Sequence, residues 1–385
     1  MATDRRPPAQ RINSKTLFDL VKLSFGVVVG AGALVALVNG YRRQRVDEAR
    51  HRVDEAGALR EATRLHAERF TAAVGQLGDT SEAVRLGAVH ALAGLADDAP
   101  TRELRQTCID VLCAYLRLPY AAEADLPEGD ANARHSYLAL REVRHTVIRV
   151  IRDHLRLPPA IPHSWQGLRF DLTGVTFDGG SFADATFSGS TVDFTGATFS
   201  DGTVDFTNAT FSDGTVDFTN ATFSDGAVDF TNATFSDGAV DFTDATFPGG
   251  TVDFTDATFP GGTVDFTNAT FSGNCSVDFT DARFSDGTVY FADATFTGGT
   301  VDFGRATFSG GTVFFSGAVF SGGTVTFGGA VFSADTVYFS DATFSDGTVD
   351  LSTASGYPPV DLVPAPGEPL PVGLILPSDW YSASS

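Results

Sequence analysis

Residues 204–215 read VDFTNATFSDGT, and this string decides the fold. It recurs with small changes from about Leu168 to Leu351. Leu172, Phe177, Phe182 and Phe187 follow at steps of five; the steps then alternate seven and five through Phe194, Phe199, Phe206, Phe211, Phe218 and Phe223, and on to Leu351. Each unit is two five-residue pieces plus a dipeptide. One slip occurs, where Asn274-Cys275 sets Phe271 and Phe279 eight apart. A period of twelve is far shorter than the roughly 30–40 residues of a helical repeat and fits strand-and-turn units in a solenoid. Alternation sends Val204, Phe206, Ala209 and Phe211 inward and Asp205 and Thr210 outward. Asp-Gly and Gly-Gly at the dipeptide suit turns that need positive φ.

A Leu or Phe with a small or apolar residue two places before it, every five residues, resembles the pentapeptide-repeat proteins. Phe177 after Val175 and Phe187 after Ala185 carry that pattern. The resemblance implies a right-handed parallel β-helix of quadrilateral section with four five-residue faces per coil. Leu172, Phe177, Phe182, Phe187, Phe194, Phe199, Phe206, Phe211, Phe218 and Phe223 are then its core ladder. The added dipeptide departs from the plain pattern and is similar to the variant with tandem VDFxxAxF units. Two twelve-residue units make an expected coil of about 24 residues, after one plain 20-residue coil from about Phe170 to Gly189. A flattened 12-residue coil is the alternative, and it would crowd two Phe, a Val and an Ala between two short sheets.

The chain has 385 residues, with 34 Phe, 40 Gly and net charge −22. That much Phe supplies apolar surface to bury, so acidity does not mean disorder. Residues 165–385 hold 28 Asp and Glu against Arg169, Arg283 and Arg305. Such an array repels nucleic acid and anionic lipid and attracts basic protein surfaces or cations, so direct nucleic-acid binding is not expected. Cys108, Cys113 and Cys275 show no metal spacing and suit a reducing compartment.

The expected class is mixed: an N-terminal transmembrane helix, a small α-helical domain, then the β-helix. Residues 1–16 read as a disordered N-terminus and 17–41 as a transmembrane helix. Ser24–Tyr41 is an uncharged run of 18 residues that Leu20, Val21 and Leu23 extend toward the roughly 20 needed to span. A signal peptide is the rival, but the run is longer than its apolar region and ends in Asn-Gly-Tyr-Arg-Arg. This predicts a single-pass protein of the cell membrane, held through residues 20–41. Basic residues on the two flanks tie, and the thiols favour a cytoplasmic C-terminal bulk. Residues 42–78 read as a helical stalk, because RVDEA steps by seven and then fails at Arg60. Residues 79–160 read as a small HEAT-like helical domain. Its last helix carries Arg141, Arg144, Arg149, Arg152 and Arg156, expected as a solvated face. The array covers 165–352. Residues 353–385 form a Pro-rich tail whose Val372–Leu376 folds back as a C-terminal cap. The segments before the array also resemble those of actinobacterial membrane proteins with such arrays.

No P-loop, G-x-S-x-G, Cys/His pair or metal set occurs, so no catalytic residue, cofactor or metal is expected. The candidate interaction surface is the outward column Asp193, Asp205, Asp217, Asp229, Asp241, Asp253, Asp265 and Asp278, continuing in Tyr290, Phe314 and Tyr338. In a 24-residue coil these Asp make two columns on opposite faces, where like charges repel. The outward aromatics suit a protein partner or a homodimer contact. The expected function is a membrane-tethered scaffold for an unidentified protein. One alternative, implied by the resemblance, is mimicry of B-form DNA that inhibits a DNA-binding protein such as gyrase. Another is cation or ice binding by Asp or Thr ladders (Thr203, Thr215, Thr251, Thr263). The plainest alternative is that Asp and Thr only keep the surface soluble.

Overall fold

The computed structural model describes residues 13–120, 123, 126–333, 337–363 and 369–382. The expected disordered N-terminus lies outside the described residues as far as residue 12. The chain divides into two units, residues 1–65 and 66–385. The described part of the first is helical and belongs to α1 (Ser14–Leu77), whose last turns fall in the second unit.

The heptad-like step leaves Val46 49% and Val53 70% exposed, so this stretch has no apolar seam in the structure. Asp19 and Lys22 interrupt the apolar stretch on one side, and Arg42 and Arg43 on the other. Between them Ser24–Tyr41 spans about 27 Å at about 1.5 Å per residue, short of a hydrocarbon core of roughly 30 Å. Among the described residues no helix is long and apolar enough to cross a membrane. The transmembrane helix expected over 17–41 and the single-pass cell-membrane location are corrected on that ground. The orientation assigned to that membrane helix goes with it.

In the second unit, α2 (Glu82–Asp97), α3 (Arg102–Leu116) and α4 (Ala131–Leu155) precede the array. Asp130 caps α4 through bonds from the Asn132 and Ala133 amides, and Thr101 caps α3 through the Leu104 amide. Ala88, Val89 and Leu92 of α2, Ile109 and Leu112 of α3, and Val143, Val147 and Ile151 of α4 are buried in one core with the array.

The array is a right-handed, four-sided parallel β-solenoid of about eight coils. Its strands stack in four columns, named faces 1 to 4 in chain order. Face 1 runs from Arg169–Asp171 to Val337–Tyr338 and face 4 from Thr186–Ser188 to Ser355–Gly356, each in an eight-stranded sheet. Face 2 starts at Thr176–Phe177 and face 3 at Gly180–Ser181. The long strands Thr295–Asp302 and Val319–Thr326 cross the corner between them and join both into one 15-stranded sheet.

The register measures the coil. Asp193 pairs with Asp217, and Asp217 with Asp241, a step of 24 residues. Thr251 pairs with Ser276, so Asn274-Cys275 adds one residue to that coil and the columns stay aligned. The first coil differs from the plain 20-residue coil expected: Phe170 pairs with Val192, a step of 22. Ser190 adds to it as a buried residue whose Oγ accepts from the Gly167 amide at 3.0 Å.

Four Phe columns fill the interior. Phe194 stacks on Phe218 at 4.7 Å, Phe199 on Phe223 at 4.8 Å, Phe206 on Phe230 at 4.9 Å and Phe211 on Phe235 at 5.0 Å. Across the coil Phe194 meets Phe206 edge-on at 6.1 Å and 89°, a favourable quadrupole arrangement. Each buried ring contributes about 1.5–3 kcal/mol of transfer free energy. A 12-residue coil would place Phe194 directly on Phe206 in one stack, and the observed pairing excludes it.

Corners repeat one device. The Ala209 amide bonds back to the Phe206 carbonyl at 2.9 Å, with Asn208 at φ +58° between them. Only a residue tolerant of positive φ fits there, and Asn, Asp or Gly fills nearly every such corner.

Both ends are closed. At the start, the Gln106 side chain donates to the Arg169 carbonyl at 2.7 Å and accepts from the Arg169 amide at 3.0 Å. Trp165 is fully buried, stacked on His154 at 4.1 Å. At the other end Leu374–Ile375 adds a parallel strand beside Thr348–Asp350, and Val360 bridges Tyr338. Trp380, on α5 (Ser378–Ser382), donates to the Gly356 carbonyl at 3.1 Å and packs against Phe332.

Candidate interaction surface

The outward residues follow from the pleat. In the Thr-Val-Asp strands of faces 1 and 3, Val points inward while Thr and Asp point out. On faces 2 and 4 the strands carry an outward Thr before an inward Phe, and on face 4 an outward Ser follows in Thr186–Ser188 and Thr210–Ser212. Two carboxylate-bearing faces therefore alternate with two hydroxyl-bearing ones. On the latter, Thr246 bonds Thr222 at 3.2 Å and Thr258 bonds Thr234 at 3.1 Å.

The eleven candidate residues divide between two faces. Asp193, Asp217, Asp241, Asp265, Tyr290, Phe314 and Tyr338 form one column on face 1. Asp205, Asp229, Asp253 and Asp278 stand on face 3, which continues through Asp302, Thr326 and Asp350. Thr215 and Thr263 flank the first column, Thr203 and Thr251 the second. Sequence reasoning missed Asp171 and Asp350, although each stands between two inward residues, Phe170 and Leu172 or Val349 and Leu351.

These carboxylates are only half exposed, and each is tied to its own corner. Oδ1 of Asp193 accepts from the Thr195 amide at 2.9 Å, that of Asp229 from the Thr231 amide at 2.8 Å, and that of Asp278 from the Thr280 amide at 2.8 Å. The Asp therefore serves the turn as well as the surface, satisfying an N–H that no strand partner reaches. This offsets the like-charge repulsion along the column. At Asp302, burial pushes the carboxyl up, with the neighbouring Asp278 adding to the effect. Where the column turns aromatic the cap is absent, and the rings stack instead: Tyr290 on Phe314 at 5.2 Å, Phe314 on Tyr338 at 5.1 Å.

The arginine row of α4 is only partly a solvated face: Arg149 is exposed and Arg152 pairs with its neighbour Asp153, but Arg141, Arg144 and Arg156 dock on the array. Arg144 is buried; it donates to the Leu116 and Thr176 carbonyls, both at 2.6 Å, and lies over the Tyr120 ring. Arg156 reaches the Ala183 carbonyl at 2.8 Å and the Asp184 carboxylate at 2.7 Å. Arg141 and His145 meet Asp178 at 3.1 and 3.2 Å, and the Tyr120 and Tyr137 hydroxyls donate to the same carboxylate at 2.5 and 2.7 Å. Asp178 is only 2% exposed. Burial by itself would raise its pKa, but the bonds from His145, Tyr120 and Tyr137 outweigh it and hold the carboxyl well below the usual range. This cluster fastens helices to the first coil. The sequence signals it: Asp178 stands where later units carry Ser200 and Ser224.

Residues 172–222 and 237–278 match the family model for pentapeptide repeats, in nine copies. The array belongs to the pentapeptide-repeat family. No curated protein matches the chain. The pentapeptide-repeat array is a scaffold fold whose interior is filled by stacked rings. Among the described residues no group of three His, Cys, Asp or Glu is placed to hold a metal ion.

Proposed function

We propose that this chain is a non-enzymatic interaction scaffold whose solenoid presents acidic faces to a basic protein partner. The observation that carries this reading is the fixed display on faces 1 and 3. There each Asp Oδ1 is held by a corner amide, so the carboxylates are preorganised at the spacing of the coils. A preorganised charged row lowers the ordering cost of association and steers an oppositely charged partner.

The test places a photo-activated cross-linking residue on one face at a time, in cells of the native host. Thr215 reports on face 1, Thr246 on face 2, Thr251 on face 3 and Arg283 on face 4. A scaffold gives discrete adducts from face 1 or face 3. Adducts from no face, or equal adducts from all four, overturn the reading.

A further inference from the structure

Face 1 changes character between two adjacent rungs. Asp265 pairs in register with Tyr290, and from there Tyr290, Phe314 and Tyr338 replace the carboxylates. The three rings lie nearly parallel, 9° and 20° apart, so their inner faces cover one another. The outer face of Tyr290, turned to the Asp265 rung, has no ring upon it among the described residues. A tyrosine reaches farther from the sheet than an aspartate, so a step forms there, with a carboxylate floor and an aromatic wall. Oδ1 of Asp265 is occupied by the Thr267 amide and hydroxyl, whereas Oδ2 accepts from no group among the described residues.

We propose that this step docks an arginine side chain of a basic protein segment, and this rests on the scaffold reading above. The guanidinium stacks on the free face of Tyr290 and donates to Oδ2 of Asp265. A planar, weakly hydrated cation meets both requirements at once, and an ammonium does not. The aliphatic stem then covers the edges of Phe314 and Tyr338. Charge selects the occupant: 28 acidic residues against three Arg in residues 165–385 attract a cationic segment and repel a second copy of this chain. The patch also disfavours a second copy. Three rungs at about 4.8 Å bury a few hundred Å², well under the roughly 1,200 Å² of a specific interface.

The probe is a short synthetic peptide of alternating Arg and Ser, titrated calorimetrically into the full chain, with a Lys/Ser peptide for comparison. Tyr290→Asp restores the residue the column carries in earlier coils and offers the Ala292 amide the cap that Thr267 has, so the fold is kept. It also adds a negative charge. Unspecific attraction of a polycation predicts tighter binding to Y290D; the docked guanidinium predicts binding weaker by about tenfold. Asp265→Asn weakens it to a similar degree, while Asp217→Asn, two rungs away, changes it less than about twofold. The Lys peptide binds more weakly than the Arg peptide. Equal or tighter binding to Y290D, or an equal loss from D217N, overturns the proposal. So does a dimer in sedimentation that Y290D dissociates, since a second copy then owns the patch. Failure here with face-restricted cross-links intact removes this site alone; loss of those cross-links removes the scaffold reading itself.

Discussion

The Gln106 side-chain amide makes both backbone hydrogen bonds that Arg169 presents at the open edge of the first coil. A solenoid leaves a row of unpaired N–H and C=O groups at each end, and such edges recruit other strands. Gln106 does for the first rung what a preceding coil would do. Gln106→Ala is expected to cost about 1–3 kcal/mol, the range for exposing two backbone groups without partners. Gln106→Glu keeps the acceptor, loses the donor and falls between. Urea unfolding gives the order, and light scattering on the Ala variant is expected to show concentration-dependent association.

The acidic columns separate charge from capping. Asp229→Asn retains an oxygen for the Thr231 amide and removes a charge from a half-buried column, so stability should change by less than about 0.5 kcal/mol. Asp229→Ala leaves that amide unmet and is expected to cost about 1 kcal/mol. Thermal melts of both variants at low and high salt check this. A larger loss for Asn than for Ala would deny the corner role.

The Asp178 cluster predicts a pH dependence with a definite sign. The folded carboxyl titrates below its unfolded value, so its stabilisation is fully present above the unfolded pKa of about 4 and is lost as pH falls through the folded one. The attachment of the helices to the first coil should therefore hold at neutral pH and weaken in strong acid. In Asp178→Asn this acid-dependent loss should disappear, and the variant should be less stable at pH 7. Hydrogen exchange of the Tyr137–Ile151 amides across that range measures it.

Phe230 is fully buried between Phe206 and Phe254. Phe230→Ala opens a cavity in the middle of the stack and should cost about 3–5 kcal/mol. Phe230→Leu keeps most of the volume and should cost far less, about 1–1.5 kcal/mol. Chemical denaturation of the two variants gives the ratio. Similar losses for both would mean that ring stacking, not volume, dominates.

The Phe spacing made the core legible, because burial with a period of five and seven leaves little freedom in how rings pack. The outward set was legible as positions but not as roles. Alternation says that Asp205 points out; it does not say that Oδ1 turns back to the amide two residues on. The arginines of α4 were misread for a related reason. A charge run on a helix face reads as solvated until its partner is known, and the partners of Arg141, Arg144 and Arg156 are carbonyls and carboxylates of the first coil, more than 25 residues away. The first coil was misjudged because Ser190 is a small polar residue that looks like surface and is buried. The apolar stretch before Tyr41 was over-read: its length was counted past Lys22 and close to Asp19, where charge ends the run.

A coil of 24 residues made from two units of 12 has a consequence for how such a chain changes length. Gain or loss of one unit keeps every Phe in a Phe column, so the interior accepts it. Everything downstream nevertheless turns by half a revolution against the N-terminal helices. The aromatic rungs would then look out from the face opposite to the present one, beyond reach of whatever had met them. Lengthening by two units restores the aspect and only moves the rungs farther along the axis. Core packing thus tolerates the smaller step, while a partner that reads one side tolerates only the larger.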